Sequence, residues 1–199
     1  MPLPPPPHLV ADRFLSEAAN RDLLRFAIGH EDEFAASKVE GEVASGDLRK
    51  SLRFDGDLSP IEADFSGRVD DVFEHILDQL GIPPFEPSHY EIELVAHGDG
   101  AYYKHHIDTF TRHQRLSAQS DRVVSCVYYF HTLPRTFEGG DLALFGIGAT
   151  QPYCVIEPAN NRMVAFPSFV MHEVKPVRCA KREFSNARFS LNCWIHRSI

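Results

Sequence analysis

Residues 122–130 read RVVSCVYYF and residues 187–196 read ARFSLNCWIH. Both are rich in β-branched and aromatic residues and alternate with a period of two, the pattern of strands whose two faces differ. In the first, Val123, Ser125, Val127 and Tyr129 share one face. In the second, Arg188, Ser190, Asn192, Trp194 and His196 share a polar face opposite Phe189, Leu191, Cys193 and Ile195. A strand with one solvated side would show the same alternation, so these runs establish strands before they establish a site. Outward from them lie HYEIELVAH (89–97), DLALF (141–145), YCVIE (153–157), RMVAF (162–166) and HEVKPV (172–177), each bounded by turn residues. Seven or eight such strands in succession predict a barrel or sandwich over residues 89–199.

Upstream the periodicity is helical. FLSEAANRDLLRFAIG has apolar residues at Phe14, Ala18, Leu23, Leu24, Ala27 and Ile28 and stops near Gly29. A second helix is expected over about 60–80, because Ser59 can cap it, Pro60 suits its first position and Glu62 completes a capping box. Ile61, Phe65, Val69, Val72, Phe73, Ile76, Leu77 and Leu80 keep to one face, and Gly81, Pro83 and Pro84 end it. The expected architecture is α+β: one domain of residues 1–199, whose helical N-terminal part (1–88) supports the outside of a C-terminal β-barrel core (89–199). TFTRHQRLSAQSD, residues 109–121, is the longest polar stretch without periodicity and predicts a mobile loop beside whatever the preceding strand presents.

With 199 residues, 43% hydrophobic and 24% charged, the chain has the make-up of one ordinary globular domain. MPLPPPPH at its start resembles no signal peptide, and no stretch approaches the roughly 18 apolar residues of a membrane span. A soluble, cytoplasmic protein without membrane contact is expected. Cys126, Cys154, Cys179 and Cys193 show no CxxC spacing and read as reduced structural thiols. A net charge of −8 argues against nucleic acid as partner, since phosphate binding calls for clustered Lys and Arg. The one basic cluster, Arg49, Lys50 and Arg53 in LRKSLR, reads as a solvated surface run; its rival reading is one basic side of a site entrance.

Two histidines and a carboxylate on a single face hold a metal while leaving positions open for oxygen and a substrate. The sequence form is His-x-Asp with a distant His, and chance alone supplies about one such tripeptide in a chain of this composition. His30-Glu31-Asp32 follows a helix end and His97-Gly98-Asp99 lies in a Gly-rich turn, so both read as surface polar residues. His106-Ile107-Asp108 instead follows the strand-like AYYK, where side chains at i and i+2 point the same way. The third candidate ligand is His172 in VAFPSFVMHEV. His105 falls on the opposite face, and a one-residue shift of register would exchange it with His106.

At this point the chain resembles the prolyl-hydroxylase branch of the 2-oxoglutarate/iron(II) oxygenases, which includes the hypoxia-factor and collagen-type prolyl hydroxylases. The resemblance runs over about residues 90–196 in ordered motifs: Gly100, Tyr103, His106 and Asp108 as G-x-x-Y-x-x-H-x-D; RVVSCVYYF; EGGDL at 138–142; HEVKPV; and RFSLNCW at 188–194. It implies a double-stranded β-helix, a jelly-roll or cupin-like barrel. It implies Fe(II) on His106, Asp108 and His172, with 2-oxoglutarate and molecular oxygen as cosubstrates and ascorbate as an optional accessory. Arg188 and Tyr129 match the groups that hold the distal carboxylate of 2-oxoglutarate, with Tyr103 and Ser190 as further candidate contacts; Lys181 and Arg182 are rival anchors. A tyrosine that hypoxia-type enzymes carry about ten residues before the first ligand is here Ala96 or, one residue on, His97. Asp108 stands where halogenating relatives have a small residue, and Trp194 where nucleic-acid dealkylases have a second arginine. Hydroxylation of a peptidyl, prolyl substrate is therefore expected. The alternatives are a free amino acid or other small molecule as substrate, and a non-catalytic metal-binding barrel.

Overall fold

The computed structural model describes residues 4–37, 48–110 and 118–199. Helix α1 (Glu17–Gly29) is capped by Ser16, whose hydroxyl accepts from the Ala19 N–H at 3.1 Å. The second predicted helix is two: α2 (Ser59–Asp71) and α3 (Phe73–Leu80). They part at Val72, whose N–H turns back to Val69 at 3.2 Å, a tighter step than the α-helical one. Capping also differs from expectation. Ser59 lies inside the helix, and it is Asp57 that accepts from the Ser59 N–H (2.9 Å) and hydroxyl (2.8 Å).

Seven strands form the larger sheet: β1 (Leu9–Asp12), β2 (Phe34–Ala36), β4 (Leu52–Phe54), β5 (His89–His97), β7 (Ser120–Phe130), β11 (Arg162–Pro167) and β14 (Arg188–Ser198). Their order is β1-β11-β7-β14-β5-β4-β2, with antiparallel pairing throughout. A smaller antiparallel sheet has the order β10-β9-β12-β6-β3, built from β3 (Arg49–Lys50), β6 (Tyr102–His106), β9 (Leu142–Phe145), β10 (Pro152–Ile156) and β12 (Met171–Val174). A hairpin of β8 (Phe137–Gly139) and β13 (Val177–Cys179) completes the described strands. Each predicted run becomes a strand, with HEVKPV divided between β12 and β13 across Pro176. Four short strands before residue 89, β1 to β4, were not legible, because runs of two to four residues carry no measurable period.

Alternation sorts the two long strands as read. Val124, Cys126, Tyr128 and Phe130 of β7 and Phe189, Leu191, Cys193 and Ile195 of β14 join the main hydrophobic core. That core also contains Leu23, Ala27, Phe65, Val69, Phe73, Ile76, Leu77 and Leu80 of the helices. The helices thus cover the outer face of the larger sheet, and burial of their apolar stripe, at roughly 25 cal/mol per Å2, holds them there. The opposite faces of β7 and β14 are left to a cavity. Cys126, Cys154, Cys179 and Cys193 are free thiols, and no helix among the described residues is long and apolar enough to cross a membrane. Most of the predicted loop, residues 111–117, lies outside the described residues.

Candidate active site

β6 ends at His106, and Asp108 follows it with its N–H on the Ser168 carbonyl at 2.9 Å. In the register of β6 and β12, His172 stands directly opposite His106, so both side chains leave the sheet on the same face. The ligand-capable atoms of His106, Asp108 and His172 all lie within 4.8 Å of one another. His106 Nε2 is 3.7 Å from one Asp108 oxygen and His172 Nε2 3.5 Å from the other. Each Nδ1 meets a backbone carbonyl, Lys104 for His106 (2.7 Å) and Val170 for His172 (2.9 Å). A carbonyl can only accept, so Nδ1 carries the proton and both Nε2 lone pairs face the centre.

Electrostatics prepares the same state. Burial, then the neighbouring His172, lowers His106 to about 3, so it is neutral at pH 7. Burial alone would raise Asp108, but His172, His106 and the Ser125 hydroxyl outweigh it and hold the carboxylate below its usual range. Ser125 donates to Asp108 at 2.6 Å and pairs with the Ser168 hydroxyl at 2.9 Å, which orients the carboxylate. Two imidazoles and one carboxylate form a donor set suited to Fe(II) with open positions. Of the rival tripeptides, His30 bonds the Phe26 carbonyl at the end of α1 and is not on the cavity wall. His105 is half-exposed against Glu173 at 3.0 Å.

The centre opens into a cavity of about 330 Å3 between the two sheets. At its inner end Arg188 is 1% exposed, with its guanidinium carbon 4.6 Å from the centre of the Tyr129 ring. Gly140 makes room for it: a Cβ there would come 2.7 Å from the Arg188 side chain. Ser190, buried, follows on the same wall. His97 is also here, which corrects its reading as a surface turn residue: it is 3% exposed and its Nδ1 accepts from Arg188 Nη1 at 2.9 Å. Burial, with Arg188 and Arg49 adding to it, pushes the His97 imidazole well below its usual value, so it is neutral and carries its proton on Nε2. That Nε2, Arg188 Nε and the Tyr129 hydroxyl are buried without a well-formed hydrogen bond. Three orphaned donors around one cation call for an acidic acceptor, and a carboxylate fits. The rival anchors do not share this place: Arg182 is 83% exposed and pairs with Asp99, and Lys181 is exposed.

A model of the 2OG-Fe(II) oxygenase superfamily matches residues 92–196, a segment that includes the triad, Tyr129 and Arg188. The chain belongs to this superfamily. An uncharacterized PKHD-type hydroxylase of the cyanobacterium Synechocystis is 31% identical over 194 residues, covering 94% of this chain and 62% of the relative. The chain therefore spans less than two thirds of that relative's length. A Pseudomonas putida prolyl-4-hydroxylase superposes with a TM-score of 0.69 at 22% identity, over 96% of this chain and 93% of that one. A Trichoplax adhaerens prolyl hydroxylase, solved with a hypoxia-inducible-factor degradation-domain peptide, gives a TM-score of 0.70 at 20% identity, over 96% and 83%. At these identities the solved structures establish a shared fold. Membership implies Fe(II), 2-oxoglutarate and oxygen, and the donor set and the orphaned donors fit the first two.

The outer half of the oxygenase cavity is where the basic run appears. Arg49 and Arg53 line it, with Glu91, Glu93, Tyr103, Phe110, Arg122, Asn192 and Trp194. Arg49 is buried and ion-paired with Glu93, which corrects the solvated reading at this one residue of the run, whereas Lys50 and Arg53 are exposed. Arg53 pairs with Asp55 at 2.7 Å, and Arg122 pairs with Glu91 and lies 4.0 Å over the Trp194 ring. Burial would raise Glu91, but hydrogen bonds from His196 and Arg122 bring it down to about 2.

Proposed function

We propose that this oxygenase, built on a double-stranded β-helix, is an iron(II)- and 2-oxoglutarate-dependent hydroxylase of a peptidyl, prolyl substrate. The observation that carries the chemistry is the presence, in one cavity, of the three-ligand cluster and a buried arginine with unfilled donors. His106, Asp108 and His172 would hold the iron. Arg188, Tyr129 and His97 would hold the cosubstrate's distal carboxylate, with Ser190 and Tyr103 on the adjoining walls. With its cosubstrates, bound iron supplies oxidative decarboxylation to succinate and carbon dioxide and the oxidising power for hydroxylating a C–H bond. The chain's own part is to keep His106 neutral, the Asp108 carboxylate charged, both Nε2 atoms turned to the centre and the oxo-acid fixed by its far end. Ascorbate belongs to the same proposal and would show as longer-sustained turnover.

Charge supports the peptidyl substrate. Among the described residues, each arginine of the outer cavity already has a carboxylate: Arg49 with Glu93, Arg53 with Asp55, Arg122 with Glu91. A free amino acid brings its own carboxylate and ammonium, and desolvating either without an unspent counter-charge costs several kcal/mol. A residue inside a peptide is uncharged along its backbone and asks only for apolar and hydrogen-bonding walls, as Trp194, Phe110 and Asn192 offer. In a succinate-release assay with Fe(II) and 2-oxoglutarate, proline-containing peptides are expected to stimulate turnover and free proline not. Stimulation by free amino acids alone would move the substrate to a small molecule, and no succinate from any pool would leave the non-catalytic barrel.

His97 gives a separate expectation. Removing it takes the acceptor from Arg188 Nη1 and one donor from the carboxylate's surroundings. His97→Ala should weaken 2-oxoglutarate binding by roughly tenfold, about the net value of one buried hydrogen bond to a charged group. Anaerobic titration of the cosubstrate into the iron-loaded protein measures this, and iron affinity should stay at the wild-type value. A variant with full 2-oxoglutarate affinity would take His97 out of the site.

A further inference from the structure

LRKSLR, residues 48–53, is the motif to which the proposed reaction gives no role, and it precedes the segment matched by the superfamily model. It occupies a corner of the fold. Arg49 lies on β3 in the smaller sheet, whereas Leu52 and Arg53 lie on β4 in the larger one. Arg49 is the backbone partner of Tyr103 on β6, so the two side chains share a face. The Arg49 side chain is 8% exposed. Its Nε donates to the Ser51 hydroxyl at 2.8 Å and its Nη2 to Glu93 on β5, so the ion pair ties the two sheets together at the cavity wall.

Beyond this strut, the guanidinium carbon sits 5.0 Å from the centre of the Tyr103 ring. The same ring is stacked on His106, with centroids 3.5 Å apart and planes 13° apart. A face covered that closely has no room for a guanidinium, so Arg49 and His106 occupy opposite faces of Tyr103. The backbone bond to Lys104 holds one edge of the His106 imidazole, and the stacked ring limits its rotation about χ2, a torsion that is otherwise broad. Arginine suits the outer layer because its planar group can stack while its fork binds Glu93.

We propose that Arg49, held by Glu93, is a positioning residue of the metal centre that presses Tyr103 flat against His106 and thereby aims His106 Nε2. The inference rests on His106 being an iron ligand. Arg49 touches neither metal nor cosubstrate in this role. It makes β3 part of the site's construction.

The test uses cobalt(II) as the probe on the 199-residue chain, read by affinity and by its visible ligand-field spectrum. Arg49→Ala should bind cobalt roughly ten- to hundred-fold more weakly, the usual effect of removing a group that orients a ligand, and should alter the spectrum. Arg49→Lys should recover part of the affinity. In a Tyr103→Leu background Arg49→Ala should have little further effect, because the path runs through that ring. Wild-type affinity and spectrum in Arg49→Ala would overturn the inference, as would an undiminished loss in the Tyr103→Leu background, which would make Arg49 a sheet strut alone. If Arg49→Ala does not fold, Glu93→Gln is read by the same criteria. Equal cobalt affinity in wild type and His106→Ala would instead overturn the metal centre on which the inference depends.

Discussion

Alanine in place of His106, Asp108 or His172 is expected to abolish iron-dependent turnover, by a factor of a hundred or more, while the fold persists. Each residue is one of only three clustered ligand groups among the described residues, so each substitution removes a third of the protein's hold on the metal. The fold should survive because all three side chains face the cavity and none belongs to the hydrophobic clusters. Asp108→Ala even removes a buried charge, at the cost of leaving the Ser125 hydroxyl with Ser168 alone. Thermal unfolding separates the cases without any assay of activity. A metal that binds only the native state stabilises it by about 2.7 kcal/mol at a hundredfold excess over Kd, so added Mn(II) should raise the wild-type midpoint and leave those of the variants unchanged. His30→Ala and His105→Ala are the controls and should behave as wild type in metal binding, because neither belongs to the cluster of ligand-capable groups. Full iron-dependent activity in any triad variant would remove that residue from the centre.

Arg188→Met is the second large effect. It preserves most of the buried volume while deleting, among the described residues, the cation at the inner end of the cavity, so the loss falls on the cosubstrate rather than on packing. Leaving a carboxylate unpaired at a desolvated site costs on the order of 2–5 kcal/mol, tens- to thousands-fold in 2-oxoglutarate affinity. Metal affinity should change little, since Arg188 contacts His97 and Tyr129 rather than the triad. Tyr129→Phe should follow in the same direction with a smaller loss. Lys181→Ala and Arg182→Ala should leave 2-oxoglutarate affinity unchanged, because Arg182 is bound to Asp99 in an exposed position and Lys181 is exposed. A KM for 2-oxoglutarate unaltered in Arg188→Met but raised in either of those variants would relocate the anchor.

Much of this was legible in local pattern. Period-two alternation identified β7 and β14 and the face each turns to the cavity, because strand geometry sends successive side chains to opposite sides whatever the sheet around them. It also predicted His106 and Asp108 on one face, which holds for the cluster although β6 ends at His106 and Asp108 lies just beyond it. The helices emerged from period and termini, while the cap was misplaced because Asp57 and Ser59 are both competent acceptors two residues apart. Nothing local reveals β3, whose two residues are strand only through pairing with β6.

Non-local pairing settled the remainder. Three His-x-Asp tripeptides occur in the sequence; strand context and the motif resemblance favour His106-Ile107-Asp108, and the register of β12 on β6 is what sets His172 directly against His106. The pairing of β5 with β14 sets His97 against Arg188 and turns an apparent surface turn residue into a buried partner of the anchor. The crossing of residues 49–54 from one sheet to the other buries Arg49 between Glu93 and Tyr103, although its neighbours Lys50 and Arg53 follow the solvated reading. The physical reason is the same in each case. Side-chain direction is a property of a residue's own backbone, whereas burial, partners and protonation depend on what a distant strand places opposite it, and that is known only when the sheets have closed.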